Sequence, residues 1–270
     1  TLARSGAQVL GEPAAGYLSH PGYAALPKAP YRYQEMLGVI WRENPSCYLQ
    51  DGEQAVLMAA LMETDNAGRP LIDAWITRSG LTADAWLEKL FEATVIPFYH
   101  LLCRYGVALI AHGQNVTLVM KDYVPQRILL KDFQGDMRLV DEDFQQAQSL
   151  PEQVKAVTAR LSADYIIHDL QTGNFVTVLR FISRLTLQSG VSENRFYQIL
   201  AGVLHRYMAA HPELAERFAK FDLFKPQIIR VILNPVKLTF SEHDGGSRML
   251  PNYVTDLDNP LFLASRESAQ

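Results

Sequence analysis

The sequence predicts an α+β fold, in which a small antiparallel sheet packs against a mainly helical C-terminal half. Three observations carry that prediction. Between residues 107 and 133 short apolar and β-branched runs, VALIA, VTLVM and QRILLKDF, are joined by tight polar loops. Beyond Pro151 apolar residues recur at helical spacing through NFVTVLRFISRLTLQSG and ENRFYQILAGVLHRYMAAH. Residues 11–33, GEPAAGYLSHPGYAALPKAPYRY, are instead crowded with Gly, Pro and Ala, a composition that breaks helices and marks irregular structure.

In chain order, AVLMAALMET, DNAG and RPLIDAWIT read as a hairpin, two apolar runs around a turn-forming tetrad. Thr82 can cap a helix from Ala83 onward, with Trp86, Leu87, Leu90, Phe91, Val95, Phe98, Leu101 and Leu102 on its apolar face and Gly106 as its stop. The strands VALIA, VTLVM and QRILLKDF come next, the last two turning at KDYVP. PEQVKAVTARLSADYIIHDL has a Pro-Glu start suited to a first helical turn. The next two helices end near Gly190 and His211. KPQIIRVILNPVKLTF is apolar and β-branched but interrupted by Pro235, which leaves helix and strand both open. DGGSRMLPNYVTDLDNP reads as loop. No internal repeat and no low-complexity linker divides the chain.

Composition narrows the function. A net charge of −4 argues against a nucleic-acid binder that relies on a broad basic face. Cys47 and Cys103 are the only cysteines, with no CxxC and no His at metal-ligand spacing, which fits a reducing compartment. No apolar stretch approaches the ~20 residues that span a bilayer. The N-terminus lacks the layout of a signal peptide and begins without Met, so a cytoplasmic, soluble fragment or processed product is expected.

The segment IAHGQNVTLVM places a His, a Gln and an Asn at the mouth of a strand. If that strand pairs with the next across KDYVP, residues equidistant from Tyr123 face each other. Asn115 then opposes Lys131, and Gln114 opposes Asp132. An Asn amide oxygen beside an Asp carboxylate suits Mg²⁺, which takes hard oxygen ligands and shares them with phosphates. His112 could donate to a phosphate or acyl oxygen, with Lys131 adding positive charge. The plainer alternative is that His112 and Asn115 only satisfy loop backbone groups at a strand entrance.

HGQN followed by LLKDFQGDMRL resembles the NRPS-independent siderophore synthetases. The resemblance continues through RLSADYIIHDLQTGNFVTVLRFIS, LFKPQIIRVILNPVKLTF and DGGSRMLPNY, and upstream through GEPAAGYLSHP and YRYQEMLGVIWRENP. It implies an ATP-dependent ligase that activates a carboxylate of citrate, or of a citrate-derived acid, as an acyl-adenylate and releases pyrophosphate. A hydroxamate amine, N6-acetyl-N6-hydroxylysine, then forms the amide with AMP as leaving group. His112, Gln114, Asn115, Lys131 and Asp132 would contact ATP, with His112 the catalytic member. Asn115 and Asp132 would hold Mg²⁺. No covalent protein nucleophile is needed, and no Ser-His-Asp or Cys-His signature stands out. The resemblance implies a fingers-like end over residues 1–75 and a palm-like domain over 76–270, its strand-bearing part reaching to about residue 145; a homodimer is compatible with it. Two departures stand out. Members are much longer and carry basic ATP-clamping motifs that this chain lacks, and many have an acid where Ile110 stands.

Arg230 and Lys237 could bind the carboxylates of a polyanionic citrate conjugate, or Lys237 could simply reach solvent. His168 is either a general base for the amine or a helix-surface His, the second being favoured. Arg127 and Arg138 suggest local salt bridges, His205 and His211 surface positions, and His100 a core or boundary position. The Gly-Gly-Ser before Arg248 could cover the cleft or be a surface turn. Two rival functions remain. A small-molecule kinase-like phosphotransferase would share the His…Asn…Asp-Phe layout, but Gln114 stands where a catalytic carboxylate is wanted and no Gly-rich phosphate loop appears. A non-enzymatic siderophore-binding module would fit a weaker likeness of the helical half to ferric-siderophore reductases; these carry a C-terminal cysteine cluster, and no cysteine occurs after Cys103.

Overall fold

Thr82 and Gly106 bracket the longest helix, and the sheet that carries the polar loop lies against it. The computed structural model describes residues 7–11, 14–17, 38–131, 136–142, 144, 150–152, 155, 158–232, 252–253 and 256–267. The strands are β1 (Ala7–Val9), β2 (Ala14–Tyr17), β3 (Gly38–Trp41), β4 (Glu53–Leu57), β5 (Val107–Leu109), β6 (Val116–Lys121), β7 (Val124–Leu130), β8 (Met137–Val140) and β9 (Ala159–Leu161). The helices are α1 (Leu71–Ser79), α2 (Ala83–Tyr105), α3 (Ala163–Leu170), α4 (Arg180–Leu185), α5 (Glu193–Ala210), α6 (Ala215–Lys220) and α7 (Pro260–Glu267). Two compact units divide the chain. The first is Thr1–Val9, Pro45–Gln227 and Asp258–Gln270; the second is Leu10–Asn44 and Ile228–Leu257.

In the first unit one sheet has the order β1-β7-β6-β4. Its β4, β6 and β7 are antiparallel, and β1 adds a parallel edge to β7. The β6–β7 register is the one that symmetry about Tyr123 demands from Val116↔Leu130 to Val119↔Arg127. A bulge then shifts it by one residue, and Asp122 and Tyr123 make the turn with φ of 51° and 64°. Positive φ at both central residues is what a tight hairpin with right-handed strand twist requires. The continuous apolar run of β6 is buried from Val116 to Met120, because protein covers it on both faces rather than one. A second sheet runs β5-β8-β9, antiparallel then parallel.

The α2 caps act as their side chains dictate. Thr82 Oγ1 accepts from the Ala85 amide at 3.2 Å, and Gly106 ends the helix at φ 66° with its N–H on the Leu101 and Leu102 carbonyls. Between them Trp86, Leu87, Leu90, Phe91, Val95, Tyr99 and Cys103 are fully buried. Trp86 Nε1 donates to the Tyr123 carbonyl at 2.8 Å, tying the hairpin turn to the helix. A Cβ on Gly106 would stand 2.6 Å from Val140 Cγ1. Gly106→Ala therefore meets both a strained φ and a clash, and should destabilise by at least ~1–3 kcal/mol. A urea midpoint unchanged by the substitution would refute this.

The helical half is built on α3, α4 and α5. Ser192 Oγ accepts from the Arg195 amide to start α5, whose Phe196, Leu200, Val203 and Leu204 are buried. Between α3 and α4 the chain stays helical but widens into a π-helical segment, Gln171–Leu179. The second unit contains the antiparallel pair β2–β3, registered from Ala14↔Trp41 to Tyr17↔Gly38, and the pairing of Val231–Ile232 with Asn252–Tyr253. Gly11 and Glu43 exchange backbone and carboxylate bonds beside the first pair. Among the described residues no helix is long and apolar enough to cross a membrane.

Two local expectations are corrected, and one left open is decided in part. The hairpin over residues 55–77 does not form: β4 pairs with β6, Met58–Met62 is a 3-10 turn, and the second run is α1. Its Ile72 and Ile76 lie at i, i+4 and are buried together, a helical spacing that outweighed the turn signal at DNAG. The helix expected from Pro151 is not continuous: Glu152 and Lys155 are helical, with the Lys155 amide on the Pro151 carbonyl at 3.1 Å, but Ala159–Leu161 joins β8 in parallel register and helix resumes at Ala163. KPQIIRVILNPVKLTF, left open between helix and strand, yields two-residue strands at Gln227–Ile228 and Val231–Ile232; residues 233–240 and the Gly-Gly-Ser segment lie outside the described residues.

Candidate functional site

The loop 110–115 connects β5 of one sheet to β6 of the other, so the polar cluster stands where those sheets meet. The Asn115 amide bonds the His112 carbonyl at 3.0 Å, closing the turn, and the Ala59 amide bonds the Gly113 carbonyl at 3.0 Å. A Cβ on Gly113 would come within 3.1 Å of the Ala59 backbone, so the loop needs glycine to lie this close to the 3-10 turn. The Lys131 amide bonds the Asn115 carbonyl at 3.3 Å. That bond extends the hairpin by one pair and sets Lys131 opposite Asn115, as the symmetry about Tyr123 requires.

Asn115 is buried, and its Nδ2 donates to Asp136 Oδ2 at 2.5 Å. His112 Nε2 stands 3.7 Å from the same oxygen. Asp136 leads into β8, and its carbonyl accepts from the Ile110 amide at 2.9 Å, which locks the carboxylate beside the loop. Phe98, Ile110, Asn115, Lys131 and Asp136 are among the residues around a small, partly open hollow. Its lining is apolar, with one carboxylate and one ammonium-bearing residue. Gln114 is exposed next to it.

Asp136 is the member of this group that sequence reasoning missed. The signal was present as the second Asp of KDFQGD, but only the return of β8 against β5 brings it to Asn115. Asp132 and Lys237 lie outside the described residues. Arg230 is exposed and belongs to the second unit. The donor set fits a hard cation: an amide oxygen and a carboxylate are the groups Mg²⁺ takes when phosphates supply further ligands. Among the described residues no three His, Cys, Asp or Glu cluster closely enough to hold a metal by themselves.

His168 is buried, at 4% exposure, so the helix-surface reading is corrected. The second sheet packs on α3, and Ile166 through Leu170 are all buried. The two arginines pair over long range rather than locally. Arg138 Nη1 donates to Asp169 Oδ1 at 2.5 Å. Arg127 forks onto Glu53 at 2.5 and 2.9 Å and reaches the Tyr48 carbonyl at 2.6 Å. Arg127 holds Glu53 below the usual carboxylate range through that fork. Burial pushes Asp169 up, Arg138 opposes the shift, and the charge of Asp136 adds to it. His100 is half-buried with Nδ1 2.7 Å from the Tyr207 hydroxyl, His205 is exposed and stacked on Phe224, and His211 faces Glu213 at 3.1 Å.

The profile of the IucA / IucC family matches residues 1–63, and that of the ferric iron reductase FhuF-like transporter family matches residues 84–247. The aerobactin synthase of Escherichia coli is 68% identical over 267 residues, covering 99% of this chain and 46% of that protein. The structure of aerobactin synthetase IucC from a hypervirulent pathotype of Klebsiella pneumoniae superposes with a TM-score of 0.84 at 62% identity, covering 98% of this chain and 45% of that one. ATP-bound aerobactin synthetase IucA from the same pathotype shares the fold at a TM-score of 0.71 and 17% identity, covering 96% and 44%. The chain thus spans less than half the length of the relatives it matches. It belongs to the NRPS-independent siderophore synthetases, the IucA / IucC family, and resembles the C-terminal part of its members.

Proposed function

We propose that this chain carries the ATP- and Mg²⁺-binding part of an aerobactin-type siderophore synthetase. The enzyme would adenylate a citrate-derived carboxylate and condense it with N6-acetyl-N6-hydroxylysine, releasing pyrophosphate and AMP. The observation that supports this best is the meeting of Asn115, Lys131 and Asp136 at one hollow, with His112 3.7 Å from the Asp136 carboxylate, in a chain of this family. A carboxylate attacking the α-phosphate adds negative charge there, so fixed cations and donors lower the barrier. His112 would donate to that phosphate, Lys131 would offset its charge, and Gln114 and Asp132 would complete the nucleotide contacts. Mg²⁺, held by Asn115 and Asp132, supplies charge neutralisation and orientation of the phosphates. Asp136 is added as the group that orients Asn115, and Arg230 and Lys237 are assigned to the substrate carboxylates. The fingers-like assignment of residues 1–75 and palm-like assignment of 76–270, a homodimer and a cytoplasmic location belong to the same proposal.

With MgATP, a citrate-derived acid and the hydroxamate amine, pyrophosphate and AMP are the expected products. ADP in their place would assign the chain to phosphotransfer, and no nucleotide binding at all would overturn the reading. The FhuF-like match over residues 84–247 favours one alternative, siderophore binding without catalysis. A ferric hydroxamate that quenches tryptophan fluorescence equally with and without MgATP would support that alternative.

A further inference from the structure

The polar loop is approached from behind by the π-helical segment Gln171–Leu179, which no step proposed above uses. A π-bulge adds a residue to the helical register and rotates the side chains beyond it by about 100°. Such segments give up regular hydrogen-bond geometry, and here two residues gain contacts with the start of the loop. Asn174 is completely buried, and its Nδ2 donates to the Ala111 carbonyl at 3.0 Å, the peptide that leads into His112. Its Oδ1 is buried without a hydrogen-bond partner among the described residues. A buried acceptor left so costs ~1–3 kcal/mol, so an apolar side chain would be the more stable choice if packing were the only requirement.

Gly173 makes the approach feasible. A Cβ there would lie 3.2 Å from the Ala111 amide nitrogen and 3.2 Å from Ile110 Cγ2, tighter than ordinary contact. Thr177 Oγ1 donates to the Gly173 carbonyl at 2.6 Å, holding that wider turn in place. Ile110 and Ala111 themselves line the hollow.

We propose that the π segment positions the candidate nucleotide loop, with Asn174 fixing the peptide that carries His112 and Gly173 allowing the two backbones to meet. Both are positioning residues, since neither is placed in contact with nucleotide. The effect on ATP rests on the function proposed above; the placement of His112 does not.

The experiment tracks the His112 imidazole by ¹H–¹⁵N NMR, assigned with His112→Gln, and measures MgATP affinity by calorimetry on the same samples. Asn174→Ala should shift the His112 ring signals and weaken MgATP binding about 10-fold, as loss of a supporting hydrogen bond does. Ser183→Ala is the control. It removes another buried hydrogen bond from the same helical run, Oγ to the Arg180 carbonyl at 2.9 Å, without touching the loop. It should lower the melting temperature and leave His112 unmoved. His112 signals unchanged in Asn174→Ala, or moved as far by Ser183→Ala, overturn the proposal. If Asn174→Ala does not fold, Gly173→Ala presses on the same backbone and must give the same shift, failing which the proposal falls. A wild-type protein that binds no MgATP sinks the nucleotide reading, while the His112 shift still decides the role of the π segment.

Discussion

Replacing Asp136 by Ala should weaken MgATP binding by about 10- to 100-fold, the range seen when a group that orients a metal ligand is lost. A carboxylate can only accept hydrogen bonds, so its contact with Asn115 must be made by the amide nitrogen. That fixes the side-chain flip and directs the amide oxygen away from Asp136. Without the carboxylate, Asn115 can rotate, and the proposed ligand oxygen is presented only part of the time. His112 also loses the carboxylate that stands 3.7 Å from its Nε2. Asp136→Asn separates the two contributions, because an amide oxygen can still accept from Asn115 while the charge is gone. It should retain more affinity than Asp136→Ala but need higher magnesium to reach it. Asn115→Ala removes the oriented group itself and should match or exceed the loss in Asp136→Ala. The measurement is calorimetric titration of ATP at several magnesium concentrations. Wild-type affinity in both Asn115→Ala and Asp136→Ala would move the nucleotide site away from this hollow.

Legibility in the sequence tracked the range of the physical signals. Caps act over one turn, so Thr82 and Gly106 were enough to place α2 at both ends. Hairpin symmetry acts over a few residues on either side of a turn, so Tyr123 was enough to set Asn115 against Lys131, even though a bulge nearer the turn breaks the symmetry. Pairing partners far along the chain left no such trace. β4 reads as the first strand of a hairpin because its true partner, β6, lies beyond the whole of α1 and α2. Residues 159–161 read as helix because only the parallel edge of β8 makes them a strand. The site divides the same way. The polar cluster HGQN is contiguous and stands out in the sequence, whereas Asp136 and Asn174, which bond Asn115 and the Ala111 carbonyl, arrive from the start of a strand and a π segment elsewhere in the chain. The Gly-Asn inside a helical run was a clue to the second, since both are poor helix formers.

Replacing Arg138 by Met should cost ~3–5 kcal/mol at neutral pH, because it leaves a buried carboxylate without its cation. The Arg138 and Asp169 side chains are only 11% and 7% exposed, and Asp169 Oδ2 has no hydrogen-bond partner among the described residues to share the charge. The pH dependence identifies the mechanism. Burial already raises the Asp169 pKa above its ordinary value, with Arg138 pulling the other way. Removing Arg138 raises it further, so the folded variant holds the proton more tightly than the unfolded chain does. A raised folded-state pKa favours the folded form at low pH, and that advantage disappears as pH rises through it. The gap between wild type and variant should therefore be widest at neutral pH and narrow as the buffer is made acidic, read from urea unfolding at each pH. Arg138→Met combined with Asp169→Leu should recover most of the loss, since an apolar pair avoids desolvating either charge. A loss below ~1 kcal/mol would put the pair in the class of surface ion pairs and sink the prediction; so would a gap that does not change with pH. The double variant also bears on the site. Arg138 lies two residues after Asp136 at the start of β8, and the Asp136 charge acts on Asp169. If the stabilised double variant still binds MgATP weakly, the buried pair is there to set the electrostatics around Asp136; if binding returns with stability, the pair only holds β8 against α3.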